Sequence, residues 1–227
     1  MNDPLSDFAW SSLYARYDNR CMGFDANSPH LIWFVAEKPL TDRLLYYRLT
    51  EQYVATARTT ELNPVALYEC LLYWKLYSQP AARSQLAKWI AYDSQSRKSA
   101  AVALPRLLSN LPMSLGRDVD AIVELLKTLS EFVLPGMKSK TAIPVRSTFL
   151  HFLYPASVPI FDRMVLQAVG VDRVGSNHDY DVFREYLPFV WGLADKYATR
   201  ACNGHTESSL RLIDMALWVN RGLTSAT

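Results

Sequence analysis

The chain predicts an all-α fold, on three observations. Apolar residues recur at three- and four-residue intervals through most of its 227 residues. Cap-forming residues precede those runs, and only one short stretch has the unbroken apolar character of a buried strand.

The stretch PLTDRLLYYRLTEQYVATART, from Pro39, sets Leu44, Leu45, Leu49 and Tyr53 at helical intervals behind a Thr41-Asp42 start signal. Asn63 then reads as an N-cap with Pro64 at the first helical position, where its missing N–H costs nothing. The following VALYECLLYWKLY stripes Leu67, Cys70, Leu71 and Trp74 along one face until Gln79-Pro80 stops it. Further helices are expected over Ala82 to Tyr92, Arg97 to Ser109, Asp118 to Phe132, Val145 to Leu153, Arg163 to Val169, Asp179 to Arg200 and Ser208 to Val219. HLIWFVAE, His30 to Glu37, reads equally as a buried strand or a helix turn, because eight residues do not separate the two periods. Turn chemistry concentrates around Pro112 and Gly116, in LPGMKSK, around Gly170 and Gly175, and at Gly204. With no internal repeat, we expect one globular helical domain over residues 1–227, with a possible boundary between two interlocked lobes near 112–117.

Half the residues are apolar, enough for a substantial core, and 24 Lys plus Arg against 22 Asp plus Glu leave no global charge that would mark a nucleic-acid binder. Any basic surface must be local. Cys21, Cys70 and Cys202 are odd in number and far apart, which argues for a reducing, cytoplasmic setting and against a disulfide framework or a zinc site. His30, His178 and His205 have no ligand spacing, so neither a metal nor a cofactor is expected. MNDPLSDFAW lacks the order of a secretory leader and no run reaches membrane-span length, so no membrane association is expected.

Chemistry concentrates in one window. From Phe132 to Phe161 the chain holds no Asp or Glu but carries Lys138, Lys140, Arg146 and His151. A phosphate backbone favours such an acid-free basic window. The window closes on VPIFDRMVLQAVG, where Asp162 enters an apolar-periodic helix.

LPGMKSKTA, Leu134 to Ala142, resembles the Leu-Pro-Gly-x-Gly-x-Lys-Thr-Ala hairpin of the helix-hairpin-helix DNA glycosylase superfamily, and VPIFDRMVLQAVG resembles that family's segment bearing the catalytic aspartate. The resemblance covers about residues 132–171 and implies a helical glycosylase-like bundle with a helix-hairpin-helix element. It implies duplex DNA as partner, with base-excision or abasic-site lyase activity. Lys140 would match the lysine nucleophile and Asp162 the carboxylate that assists loss of the base. Gly136, Lys138, Arg146 and Arg163 would contact DNA. Lys138 stands where the family has a second glycine, and so lacks that residue's conformational freedom.

Plainer readings of the same residues stand beside these. Asp162 also reads as a simple helix N-cap, and Lys140 as a solvated turn lysine. His151, inside FLHFLY, reads as a hydrogen-bonded core histidine. Tyr46, Tyr47, Tyr53, Tyr73, Trp74 and Tyr77 read as core stripes, some of them able to stack on an extruded base. Arg211 and Asp214 read as an ordinary surface pair, unless Asp214 is buried, in which case an arginine from elsewhere is expected to pair with it and organise the site. The rival function is a non-catalytic protein-interaction component, of a bacterial stress or phage-defence kind, on a glycosylase-like scaffold. An unrelated all-α bundle is the third reading.

Overall fold

A computed structural model describes residues 1–20, 41–56, 64–76, 95–131 and 143–221. Its described residues form nine α-helices and no strand. These are α1 Leu13–Arg20, α2 Asp42–Thr56, α3 Pro64–Leu76, α4 Gln95–Asn110, α5 Val119–Leu129, α6 Ile143–Leu153, α7 Arg163–Ala168, α8 Tyr180–Ala201 and α9 Ser209–Asn220. The all-α expectation holds. The expected helix at Ala82 to Tyr92 and the ambiguous stretch at His30 to Glu37 lie outside the described residues, as does the whole of LPGMKSKTA.

Local chemistry sets the helix starts. Asp118 accepts from the Ala121 N–H to open α5, Asp162 from Met164 and Val165 to open α7, Asp179 from Asp181 and Val182 to open α8, and Ser208 from Arg211 to open α9. Each satisfies amide groups that the first turn leaves without a helical partner. The end of α7 is equally specific. Gly170, at φ 82°, lets the Val171 N–H reach the Leu166 carbonyl at 2.9 Å and the Gly170 N–H reach Gln167 at 3.1 Å. A side chain there would also crowd Asn2, whose backbone N–H bonds the Val169 carbonyl at 2.9 Å. The N-terminal segment is thereby tied to the end of α7.

The closing helix α9 packs on α1, α7 and α8, while α2 packs on α3 and α6, and α5 bridges α6 and α8. One continuous apolar cluster includes residues on both sides of 112–117. At that break the Tyr154 hydroxyl donates to the Pro112 carbonyl at 2.6 Å, and Ser157 donates to Leu115. The stretch from Tyr154 to Asp162 is held out of helical conformation by Pro155 and Pro159, whose φ values are fixed and which carry no N–H. It is pinned through the Trp191 indole N–H to the Ser157 carbonyl at 2.8 Å and the Tyr186 hydroxyl to the Ile160 carbonyl at 3.0 Å. This places Asp162.

Phe161, fully buried, meets the rings of Phe183 and Tyr186 edge-on at centroid distances of 5.0 and 5.1 Å. Phe161→Ala should therefore cost about 3–5 kcal/mol in urea unfolding. A loss below about 1 kcal/mol would mean that the segment before Asp162 is not anchored through this ring.

Candidate functional site

Asp162 ends the extended segment with φ −144° and ψ 170°, and one carboxylate oxygen, Oδ1, caps α7 at 2.9 Å from the Met164 nitrogen and 3.1 Å from Val165. Its other oxygen, Oδ2, accepts from Lys75 Nζ at 3.1 Å. Lys75 lies in the last turn of α3 with a side chain only 9% exposed, whereas Asp162 keeps 24% of its side chain open to solvent. Burial pushes the Asp162 carboxyl up, but the Lys75 charge and the two backbone N–H groups outweigh it and hold the group below its ordinary value. The site offers a fixed, ionised, partly accessible carboxylate beside an amine.

Next to this pair lies a buried charge cluster. Arg211, 1% exposed on α9, donates from Nη1 to Asp214 and from Nη2 to the Tyr17 hydroxyl at 2.8 Å and to Asp42 at 3.1 Å. Tyr17 in turn donates to Asp42 at 2.7 Å. The guanidinium stands 4.5 Å from the Tyr46 ring, 5.1 Å from Tyr17 and 5.2 Å from Trp74, an aromatic enclosure that suits a weakly hydrated planar cation. Burial disfavours the Arg211 charge, but Tyr17, Asp214 and Asp42 outweigh it and keep the group protonated. Burial also raises Asp42, and it lifts Asp214 to about 6 against the pull of Arg211. Asp162 raises Asp214 further and Lys75 lowers it, so the half-buried pair and the buried cluster act on one another.

The expectation of a surface Arg211–Asp214 pair is corrected: both are buried, and the partner of Asp214 is Arg211 itself rather than an arginine elsewhere. Three-residue spacing is the same on a wet or a dry helix face. The clue was Leu210, Leu212 and Ile213, which surround Arg211 with apolar neighbours and make α9 hydrophobic on every side.

Arg146 also needs correcting. It is 0% exposed and donates to the Tyr180 hydroxyl at 3.1 Å, so it lies inside the core, out of reach of a phosphate on the surface. Arg163 is exposed, one residue past Asp162. Gly136, Lys138 and Lys140 lie outside the described residues, as does Tyr77.

His151 is a core histidine. Val158 offers its ring Nδ1 only a carbonyl, 2.6 Å away, so Nδ1 carries the proton, and Nε2 accepts from the Tyr46 hydroxyl at 2.6 Å. Burial, with Arg211 and Lys75 nearby, pushes it down to about 3, and it stays neutral at ordinary pH. Tyr46, Tyr53, Tyr73 and Trp74 are buried, and Tyr46 and Trp74 are occupied around Arg211; Tyr47 is 52% exposed.

Lys75 went unnoticed in the sequence, as did the roles of Asp42, read only as part of a helix start, and of Arg211 in one cluster. Lys75 sits in LYWKLY, a run too apolar for a solvated lysine, and that was the available signal. Among the described residues no group of three His, Cys, Asp or Glu side chains could hold a metal ion, and no helix is long and apolar enough to cross a membrane. No protein-family model, curated protein or solved structure matches the chain.

Two outcomes follow from the cluster. Arg211→Met leaves two buried carboxylates uncompensated and should cost about 3–5 kcal/mol in chemical unfolding; a cost below about 1 kcal/mol would contradict the burial described. Asp214, at about 6 folded against an ordinary 3.8, holds its proton more tightly in the folded state. Its contribution to stability is therefore full below pH about 4 and is lost as pH rises through about 6. Asp214→Asn should flatten that fall in urea midpoints recorded across the window, and an unchanged slope would assign the pH dependence to other groups.

Proposed function

We propose that this chain is a DNA-binding protein of helix-hairpin-helix glycosylase character that works on a nucleotide of duplex DNA at Asp162. The observation that carries this reading is the Asp162 carboxylate, which is kept ionised, partly open and fixed at the start of α7. A carboxylate so held stabilises positive charge developing on a sugar or moves protons during attack on its C1′. The all-α architecture and the resemblance of the hairpin and aspartate segments support it.

Arg163, exposed and next to Asp162 in the chain, is the cation this reading assigns to a backbone phosphate. Duplex binding followed by fluorescence anisotropy should weaken linearly in log–log form as salt rises. Arg163→Ala should weaken it for every sequence and reduce the salt slope by about 1. Absence of duplex binding at 50 mM salt or so would end this reading.

A second reading rests on a different observation. Val54, 63% exposed, and Met113, 79% exposed, flank a small groove of mixed polar and apolar surface with Tyr53, Leu108, Leu111, Leu153 and Tyr154. Exposed apolar side chains beside a groove suit contact with another protein, in a non-catalytic stress or defence component. A stable stoichiometric complex formed by a protein that has no affinity for DNA would favour this reading over the first.

A further inference from the structure

The charges of the Arg211 cluster and the Lys75–Asp162 pair do not balance. Asp42, Asp162 and Asp214 set three carboxylates against two cations, Lys75 and Arg211. The groups that the surrounding helices add are uncharged. Tyr17 on α1 donates to Asp42, and burial keeps Tyr46 on α2 and Tyr186 on α8 protonated and His151 on α6 neutral. At the edge of the cluster Asp18 and Arg43 cancel one another, and Glu207 accepts from the Tyr14 hydroxyl.

One carboxylate is therefore in excess, and carboxylates confined together favour a proton on one of them. The hydrogen bonds select which. Asp42 accepts from Tyr17 as well as Arg211, and Asp162 from two backbone N–H groups as well as Lys75. Among the described residues Asp214 accepts from Arg211 alone, and it is the most buried of the three. Burial lifts it to about 6, so it gains and loses its proton close to neutral pH.

That proton is connected to the site at Asp162. The helix that Asp162 opens, α7, packs on α9, and after burial it is Asp214 and Asp162 that act on the Tyr186 hydroxyl, so both carboxylates stand near one buried group. A DNA phosphate held by Arg163 adds negative charge on the side from which Asp162 already raises Asp214. Added negative charge favours the protonated carboxyl. By reciprocity, the proton favours the phosphate by the same factor.

We propose that binding of duplex DNA at Asp162 is linked to a proton on Asp214, which the buried cluster takes up as the phosphate backbone arrives, so that DNA is held more tightly as pH falls. This rests on the DNA-binding reading above. The sensor is inside the core and touches no nucleotide. It adjusts the potential at the site while Lys75 and Asp162 keep their own charges.

The test is duplex binding by fluorescence anisotropy at fixed salt, from pH about 8 to about 5, for the wild type and Asp214→Asn. Beside it, the Asp214 carboxyl carbon of the wild type is titrated by NMR with and without saturating duplex. Wild-type affinity should rise at least about fivefold across the range, and the rise should be absent in Asp214→Asn. The Asp214 midpoint should move up when duplex is bound. Because that titration uses the wild-type chain, a poorly folded variant does not spoil the test. A pH dependence that survives in Asp214→Asn assigns it to exposed groups such as His178 and overturns the inference, with the DNA reading left standing. Duplex binding that leaves the Asp214 midpoint unmoved overturns it in the same way. Absence of duplex binding at every pH overturns the inference together with the function it rests on.

Discussion

A guanidinium 1% exposed in the middle of a helical bundle is the constraint around which the other parts are arranged. Removing such a charge from water costs several kcal/mol, and only well-placed partners recover it. Arg211 takes those partners from four helices: Tyr17 on α1, Asp42 and Tyr46 on α2, Trp74 on α3 and Asp214 on its own helix α9. Apolar packing alone tolerates sliding and rotation, whereas a planar fork with fixed donors does not. The cluster thus sets how α9 docks against α1, α2 and α3. The His151 bridge from Tyr46 to the Val158 carbonyl extends the same fixed geometry to α6 and to the segment leading to Asp162.

The adjacency of Trp74 and Lys75 joins fold to site. Trp74 lies against Arg211 inside the bundle, and the next residue reaches Asp162 at its edge. Successive residues of a helix point about 100° apart, so one turn of α3 serves both the buried cluster and the half-buried pair. On the other side, Asp162 is held by its own capping bonds and by the Phe161, Tyr186 and Trp191 contacts behind it. Both partners of the ion pair are thus set on rigid elements, Lys75 on α3 and Asp162 at the start of α7. The two oxygens of Asp162 have separate tasks, since Oδ1 caps the helix and Oδ2 faces the amine.

The parts of this fold that depend on neighbours in sequence were legible in it. Asp118, Asp162, Asp179 and Ser208 announce their helices because a short polar side chain before an apolar run has one local task, and each performs it. His151 was readable as a core residue for the same reason. Long-range electrostatics were not. Nothing in the spacing of Arg211 and Asp214 tells a buried pair from a wet one, and Arg146 counted as part of a basic window although its helix turns it inward to Tyr180. Lys75 and Asp162 are 87 residues apart, and only the folded chain brings them together. A charge count along a sequence weights every cation alike, whereas burial decides which of them meets solvent.

The central claim is that the buried cluster and the half-buried Lys75–Asp162 pair form one electrostatic unit. The most direct measurement is the titration of the Asp214 carboxyl carbon by NMR in the wild type, in Lys75→Met and in Asp162→Asn. Loss of the Lys75 cation should raise the Asp214 value above about 6, and loss of the Asp162 anion should lower it. Identical titrations in all three proteins would contradict the account, leaving Arg211 to organise the core with no bearing on the Lys75–Asp162 pair.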